Sequence, residues 1–252
     1  MDQRPMDQTS QRSGHLPCEI IAHRGSSAIA PENTMAAVKQ AIADGADRIE
    51  LDVQQLADGT LVIFHDAVLM RVAGIEEEIG NLSWSEVRSM DVGQWFSPQF
   101  KGETIPLLVD VLEATAGKIA LNLELKSNGY ETDLAPQVAQ TIQDFGLQDA
   151  CIITSFQKRW IQHLKDTFPD LNLGIISTRP VPPEELQGLQ ACSLQADALT
   201  PPHLKTHQSH GLKTWIWTVD DGAIAQYWLN HGINGIITNH PAKLRQALIV
   251  RH

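Results

Sequence analysis

The sequence is short of everything that would staple, anchor or generally electrify it. It has three cysteines, Cys18, Cys151 and Cys192, and no CxxC pair. An odd number at unrelated spacings builds neither a disulfide framework nor a thiolate metal site, so the thiols read as buried and reduced. No run approaches the ~18 apolar residues of a membrane-spanning helix. The N-terminal stretch is polar, rich in Gln, Ser and Asp, without the apolar core of a secretory signal. We therefore expect a disordered tail over residues 1–17 and one cytoplasmic domain over 18–252. Cations are scarce too: 19 Lys and Arg stand against 30 Asp and Glu, a formal charge of -11. Such a chain is a poor candidate for nonspecific binding to DNA or to an anionic membrane. A phosphate-bearing ligand would have to be met by local cations or a metal ion.

What is present is alternation. Short runs rich in Ile, Val and Leu predict strands at Glu19–His23, Arg48–Val53, Ile119–Leu125, Cys151–Ser155, Leu171–Ile176, Ala196–Leu199, Thr214–Val219 and Gly235–Thr238. Segments of helical period fall between them, at Thr34–Ala43, Leu107–Ala116, Leu134–Phe145, Lys158–Phe168, Ala223–His231 and Pro241–Val250. Asn33 or Thr34 would cap the first, and Asp220 or Asp221 the one near residue 223. Gly45, Gly117, Gly146 and Gly232 each follow a last periodic residue, as helix stop signals do. Eight strands with helices between them, in a chain of 252 residues, predict an α/β fold of the TIM type, a closed (β/α)₈ barrel.

Two places break the rhythm. Prolines 180, 182 and 183 interrupt residues 177–195. The other break is residues 54–106, where Asp58-Gly59 sits between two apolar runs. A turn so short can only make an antiparallel hairpin, because parallel strands need a crossover of a dozen residues or more. The hairpin would bring His65 back opposite Asp52. Residues 67–105 would then be an insertion after the second strand, above the barrel mouth.

Strand alternation singles out the chemistry. Ile49, Leu51 and Val53 are apolar and would face helices, which turns Glu50 and Asp52 into the barrel. Leu121, Leu123 and Leu125 do the same for Asn122, Glu124 and Lys126. Barrel enzymes keep their sites at this C-terminal end. Three carboxylates in one mouth repel each other unless cations sit among them. Lys126 supplies one charge, and a divalent cation held by oxygen alone, Mg²⁺, Ca²⁺ or Mn²⁺, would supply the rest. His23-Arg24-Gly25 ends the first strand at the same mouth. Arg24 can grip a phosphate with two parallel bonds. His23 and His65 would converge there as a general acid–base pair. Trp215 and Trp217 share one strand face and read equally as core. Residues 201–210 read as a polar loop from which His203 could reach the mouth.

At these residues the chain resembles a known family. His23-Arg24-Gly25, Pro31-Glu32-Asn33-Thr34, Glu50-Leu51-Asp52-Val53, Asp58-Gly59 and His65-Asp66 follow the opening motifs of the glycerophosphodiester phosphodiesterases. Asn122–Lys126, Thr154-Ser155-Phe156, Trp217-Thr218-Val219 and Gly235–Thr238 resemble the later ones, over residues 20 to 245. The resemblance implies metal-dependent hydrolysis of glycerophosphodiesters to sn-glycerol 3-phosphate and an alcohol. It implies a metal ion, Mg²⁺ or Ca²⁺, on Glu50, Asp52 and Glu124, with His23 and His65 catalytic. Arg24 and Lys126 would neutralise the phosphate, and Trp217 would line the glycerol side. The chain departs from the family at Asn234 and Asn239, where Asp is common. Pro31–Thr34 reads as mainly architectural, with Glu32 reaching toward Arg24. The partner is then a small diester, with no nucleic acid and no stable membrane insertion; monomer and homodimer both stay open. Two other readings accompany this one: a lysophospholipase D-like enzyme on the same barrel, and a catalytically silent binding barrel.

Overall fold

Outward Ile, Leu and Val alternate with inward polar residues along Arg48–Gln55 and Ala120–Leu125, while on other strands larger apolar side chains also turn into the closed barrel. The computed structural model describes residues 16–250. Its strands are β1 (Glu19–His23), β2 (Arg48–Gln55), β3 (Leu61–Ile63), β4 (Ala120–Leu125), β5 (Cys151–Ser155), β6 (Asn172–Ser177), β7 (Ala191–Gln195), β8 (Lys213–Trp217) and β9 (Gly235–Thr238). Eight of them run parallel in the order β1-β2-β4-β5-β6-β7-β8-β9, and β9 returns to β1. Only β3 is antiparallel, on the upper end of β2. The helices are α1 (Met35–Ala43), α2 (Met70–Ala73), α3 (Trp84–Val87), α4 (Leu108–Thr115), α5 (Leu134–Asp144), α6 (Lys158–Thr167), α7 (Pro201–Ser209), α8 (Gly222–Asn230) and α9 (Pro241–Ile249). No described helix is long and apolar enough to cross a membrane. Of the expected tail, residues 1–15 lie outside the described residues; Leu16, next to them, is buried in the core around β7, β8 and α8.

The core has layers. Ile49, Leu51, Val53, Leu121 and Leu123 pack outward against α1, α4 and α5. Inside the barrel sit Ile21, Ile152, Ala191, Trp215 and Ile237. Gly235 makes room for the Trp215 ring, since a Cβ there would lie 2.5 Å from Trp215 Cδ1. Arg48 stacks over that ring at 5.3 Å and pairs with Glu19, which also receives Lys213. This ion cluster sits at the N-terminal ends of the strands and leaves the opposite mouth for chemistry. Residues 67–105 hold α2, α3 and two short 3₁₀ turns, and Leu69, Ile79, Val87 and Ile105 share a core with Leu56, Val62 and Phe64 of the hairpin.

Three expectations are corrected. The strand placed at Ala196–Leu199 is Ala191–Gln195, paired in register with β6 and β8, and Ala196–Ala198 is a 3₁₀ turn. The apolar run there is hidden because Ser193 faces inward between Cys192 and Leu194. The 201–210 loop is helix α7: Thr200 caps it, and Pro201-Pro202 occupy the first turn, where no N–H is missed. His203 bonds Thr200 Oγ1 rather than joining the mouth. Phe64, not His65, faces Asp52, its N–H donating to the Asp52 carbonyl at 2.9 Å. The hairpin is one residue out of the expected register, because the turn between β2 and β3 spans Leu56–Thr60. At helix ends the reading was ambiguous, and Thr34 and Asp221 are the residues that cap.

Candidate active site

The mouth is built on a left-handed turn. Arg24 and Gly25 follow β1 with φ of 56° and 82°. A Cβ on Gly25 would come within 2.6 Å of the Ala37 side chain, so only glycine lets the turn lie against α1. The turn aims the Arg24 N–H at Glu50 Oε2, 3.0 Å away. Its guanidinium pairs with Glu32 at 2.9 Å and Asp52 at 3.3 Å. Asn33, also at positive φ, donates Nδ2 to Asp52 Oδ2 at 2.7 Å and accepts the Asp52 N–H at 3.2 Å. Asn33 therefore fixes a site carboxylate instead of capping a helix. The Pro31–Thr34 motif could have signalled this only with knowledge of what lies across the barrel.

Glu50, Asp52 and Glu124 meet at the centre, each offering an oxygen within 4.8 Å of the others. Asp52 is 1% exposed and Glu50 4%. Lys126 Nζ bonds Glu124 at 2.8 Å and lies 3.5 Å from Asp52. Burial, then the neighbouring carboxylates, push Glu50 well above the usual carboxyl range. Burial and Asp52 raise Glu124 to about 7, against the pull of Lys126. Burial also opposes the charge on Asp52, but Lys126 and Arg24 together outweigh it and hold that carboxyl low. With all three carboxylates ionised, Arg24 and Lys126 cannot match the charge, and Arg24 is shared with Glu32. An oxygen-only triad of this kind fits a hard divalent cation.

A stability test follows. The folded chain binds the Glu124 proton more tightly than the unfolded chain does. That contribution is complete below about pH 4.5 and lost as pH rises through about 7, a difference of about 3 kcal/mol. His23, held below its usual value by burial and Arg24, acts in the opposite sense. The comparison with Glu124→Gln isolates the carboxyl. With chelator present, the Tm of this variant should match wild type near pH 5 and exceed it by several degrees at pH 8. Equal Tm at both pH values would refute the raised carboxyl.

The two histidines stand on the cavity wall, each held by Nδ1. His23 Nδ1 lies 2.7 Å from Asn239 Oδ1. Asn239 Nδ2 donates to Asp220 at 2.8 Å, so its oxygen faces His23 and the ring carries its proton on Nδ1. The Asn239 departure is thus a working anchor. His65 Nδ1 lies 2.7 Å from Asp66 Oδ1, an acceptor only, which fixes the same tautomer. Both rings are left with Nε2 for the cavity. That cavity measures about 230 Å³, and Phe156, Ile176, Trp217 and Ile237 form its apolar wall. Trp217 meets Phe156 edge-on at 5.9 Å. A second cavity of about 380 Å³ shares His65, Glu124, Lys126 and Phe156 with it, and is lined also by Asn128 and Gln157.

All the residues singled out in the sequence, His23, Arg24, Glu50, Asp52, His65, Glu124, Lys126 and Trp217, gather at this mouth. Sequence reasoning missed Phe156 as cavity wall, Asn33 and Asn239 as anchors, and Arg71, which sits on Asp66 and Glu32. The fold and its polar mouth define a (β/α)₈ barrel with a buried carboxylate triad able to hold a cation at its C-terminal end. The family model for the glycerophosphoryl diester phosphodiesterase family matches residues 23–243, and the chain belongs to that family. A glycerophosphodiester phosphodiesterase of Caldanaerobacter subterraneus is 33% identical over 231 residues, 89% of this chain and 95% of its own. Among solved structures, an Oleispira antarctica phosphodiesterase in complex with the product sn-glycerol 3-phosphate superposes with a TM-score of 0.86. It is 27% identical and the match covers 91% of this chain and 96% of that one. A glycerophosphodiester phosphodiesterase from Agrobacterium tumefaciens, also 27% identical, gives 0.81 over 91% and 99%.

Proposed function

We propose that this chain hydrolyses glycerophosphodiesters to sn-glycerol 3-phosphate and an alcohol, with His23 and His65 as the acid–base pair. The observation that carries the reading is the convergence of two Nδ1-anchored histidines on one buried carboxylate triad. Glu50, Asp52 and Glu124 would hold the divalent cation, Mg²⁺ or Ca²⁺, which when bound stabilises charge on the phosphate oxygens. Arg24 and Lys126 bind the same phosphate. One Nε2 takes a proton from the attacking oxygen, either the glycerol 2-hydroxyl or water, and the other gives one to the leaving alkoxide; a cyclic phosphate formed by the 2-hydroxyl is then opened by water. Trp217 and the apolar wall receive the glycerol carbons. The adjoining cavity gives the alcohol a place to sit. Residues 67–105 belong to this reading as an insertion on one catalytic domain. A cytoplasmic location does too, supported by three free, buried thiols.

The test is release of sn-glycerol 3-phosphate from glycerophosphocholine with Mg²⁺, with Ca²⁺ and with EDTA. Metal-dependent release is expected, and its absence with every cation refutes the reading. A second reading, hydrolysis of lysophospholipids, draws on the exposure of Met70, Ile75, Trp95 and Phe156. Release of choline from lysophosphatidylcholine at a higher kcat/KM than from glycerophosphocholine would favour it.

A further inference from the structure

A guanidinium outside the cavity ties two of its working side chains together. Arg71 donates Nε to Asp66 Oδ2 at 2.7 Å and Nη2 to Asp66 Oδ1 at 3.1 Å. Its other edge donates Nη1 to Glu32 Oε2 at 2.9 Å and Nη2 to Glu32 Oε1 at 2.7 Å. Asp66 Oδ1 is also the acceptor of the His65 ring, and Glu32 Oε1 of the Arg24 guanidinium at 2.9 Å. One planar cation thus spans His65 on the hairpin and Arg24 at the end of β1. Among the described residues β1 and β3 form no ladder with each other, and each pairs with β2.

The grip is built rather than casual. Arg71 belongs to α2, whose neighbours Leu69 and Val72 are buried in the local core. Val68 forms an antiparallel bridge with Glu78, and the Leu69 and Ile79 N–H groups donate to Glu77 and Ala67. Gln54 fixes the backbone on the other side, donating Nε2 to the carbonyls of Phe64 and Asp66 at 2.8 and 2.9 Å. The Trp95 ring covers the guanidinium face, 5.4 Å from its carbon. An exposed ion pair alone contributes little, but forked pairs within a network hold geometry as well as charge.

We infer that Arg71 is a positioning residue for the reaction, fixing His65 and Arg24 relative to each other through Asp66 and Glu32. The inference rests on the proposed diesterase reading for its kinetics and on geometry for the rest. A misplacement of an ångström at such a site costs on the order of a hundredfold in rate, and loss of an outer-shell partner about ten- to a hundredfold.

The experiment uses Arg71→Ala, Arg71→Lys, Asp66→Asn and the Arg71→Ala/Asp66→Asn double variant of the full chain. Arg71→Ala should lower kcat about ten- to a hundredfold with Tm within a few degrees of wild type. Arg71→Lys keeps the charge but loses both forks, and should stay within about threefold of Arg71→Ala. The double variant should be no slower than the worse single, because both substitutions break the same Arg71–Asp66 link to His65. Full recovery in Arg71→Lys, or losses that multiply in the double variant, would overturn the inference. A second readout needs no turnover. In protein labelled with ¹⁵N-histidine, His65 should show a single Nδ1–H tautomer in wild type and a mixture in Arg71→Ala. An unchanged His65 spectrum in Arg71→Ala would overturn the inference even if no diester were hydrolysed. Wild-type inactivity on every diester, with the tautomer shift present, would instead count against the diesterase reading alone.

Discussion

Replacing His65 or His23 with alanine is expected to lower kcat by at least about a hundredfold, on the scale of a lost general acid or base. The rings do not substitute for each other, because each is held by its own Nδ1 partner on a different element. His65 leans on Asp66 at the end of the hairpin. His23 leans on Asn239 after β9. The two losses should therefore be similar in kind and should act on kcat more than on KM, since the proposed function gives phosphate binding to Arg24, Lys126 and the cation. Both variants should stay folded. His23 and His65 are only partly buried and leave the barrel core untouched. Steady-state kinetics on glycerophosphocholine would check this. A near wild-type kcat for either variant removes that histidine from the mechanism.

The second large effect concerns the carboxylates. Glu124→Gln keeps shape and removes one charged oxygen pair from the triad. It should lower kcat/KM by on the order of a hundredfold or more, comparable to removing a preorganised electrostatic stabiliser. EDTA should take wild type to the assay floor, and added Mg²⁺ or Ca²⁺ should restore it. The same variant should be more stable than wild type in chelator at pH 8, because a buried repulsion has gone. Loss of activity together with gain of stability is the signature of carboxylates held together for a cation rather than for the fold. Full activity in Glu124→Gln would remove Glu124 from the ligand set.

Much of this was legible without coordinates. Alternation along Ile49–Val53 and Leu121–Leu125 turned Glu50, Asp52 and Glu124 inward, because the outward apolar set had to meet helices. The short turn at Asp58-Gly59 required a hairpin and brought His65 to the mouth. The β7 strand was misplaced because a small polar residue, Ser193, faces the cavity and breaks the apolar run. Helix α7 was missed because its polar His, Lys and Gln residues hide the amphipathic pattern, and only Leu204 and His207 are buried.

The barrel, its reactive end and the residue types gathered there follow from periodicity, which is a local property of the chain. Which partner each group keeps depends on how the folded chain closes. Asn33 on Asp52, Asn239 on His23 and Arg71 between Asp66 and Glu32 join residues up to 216 positions apart. Hydrogen bonds act over about 3 Å, and no pattern along a strand reports which side chains closure of the barrel brings within that distance.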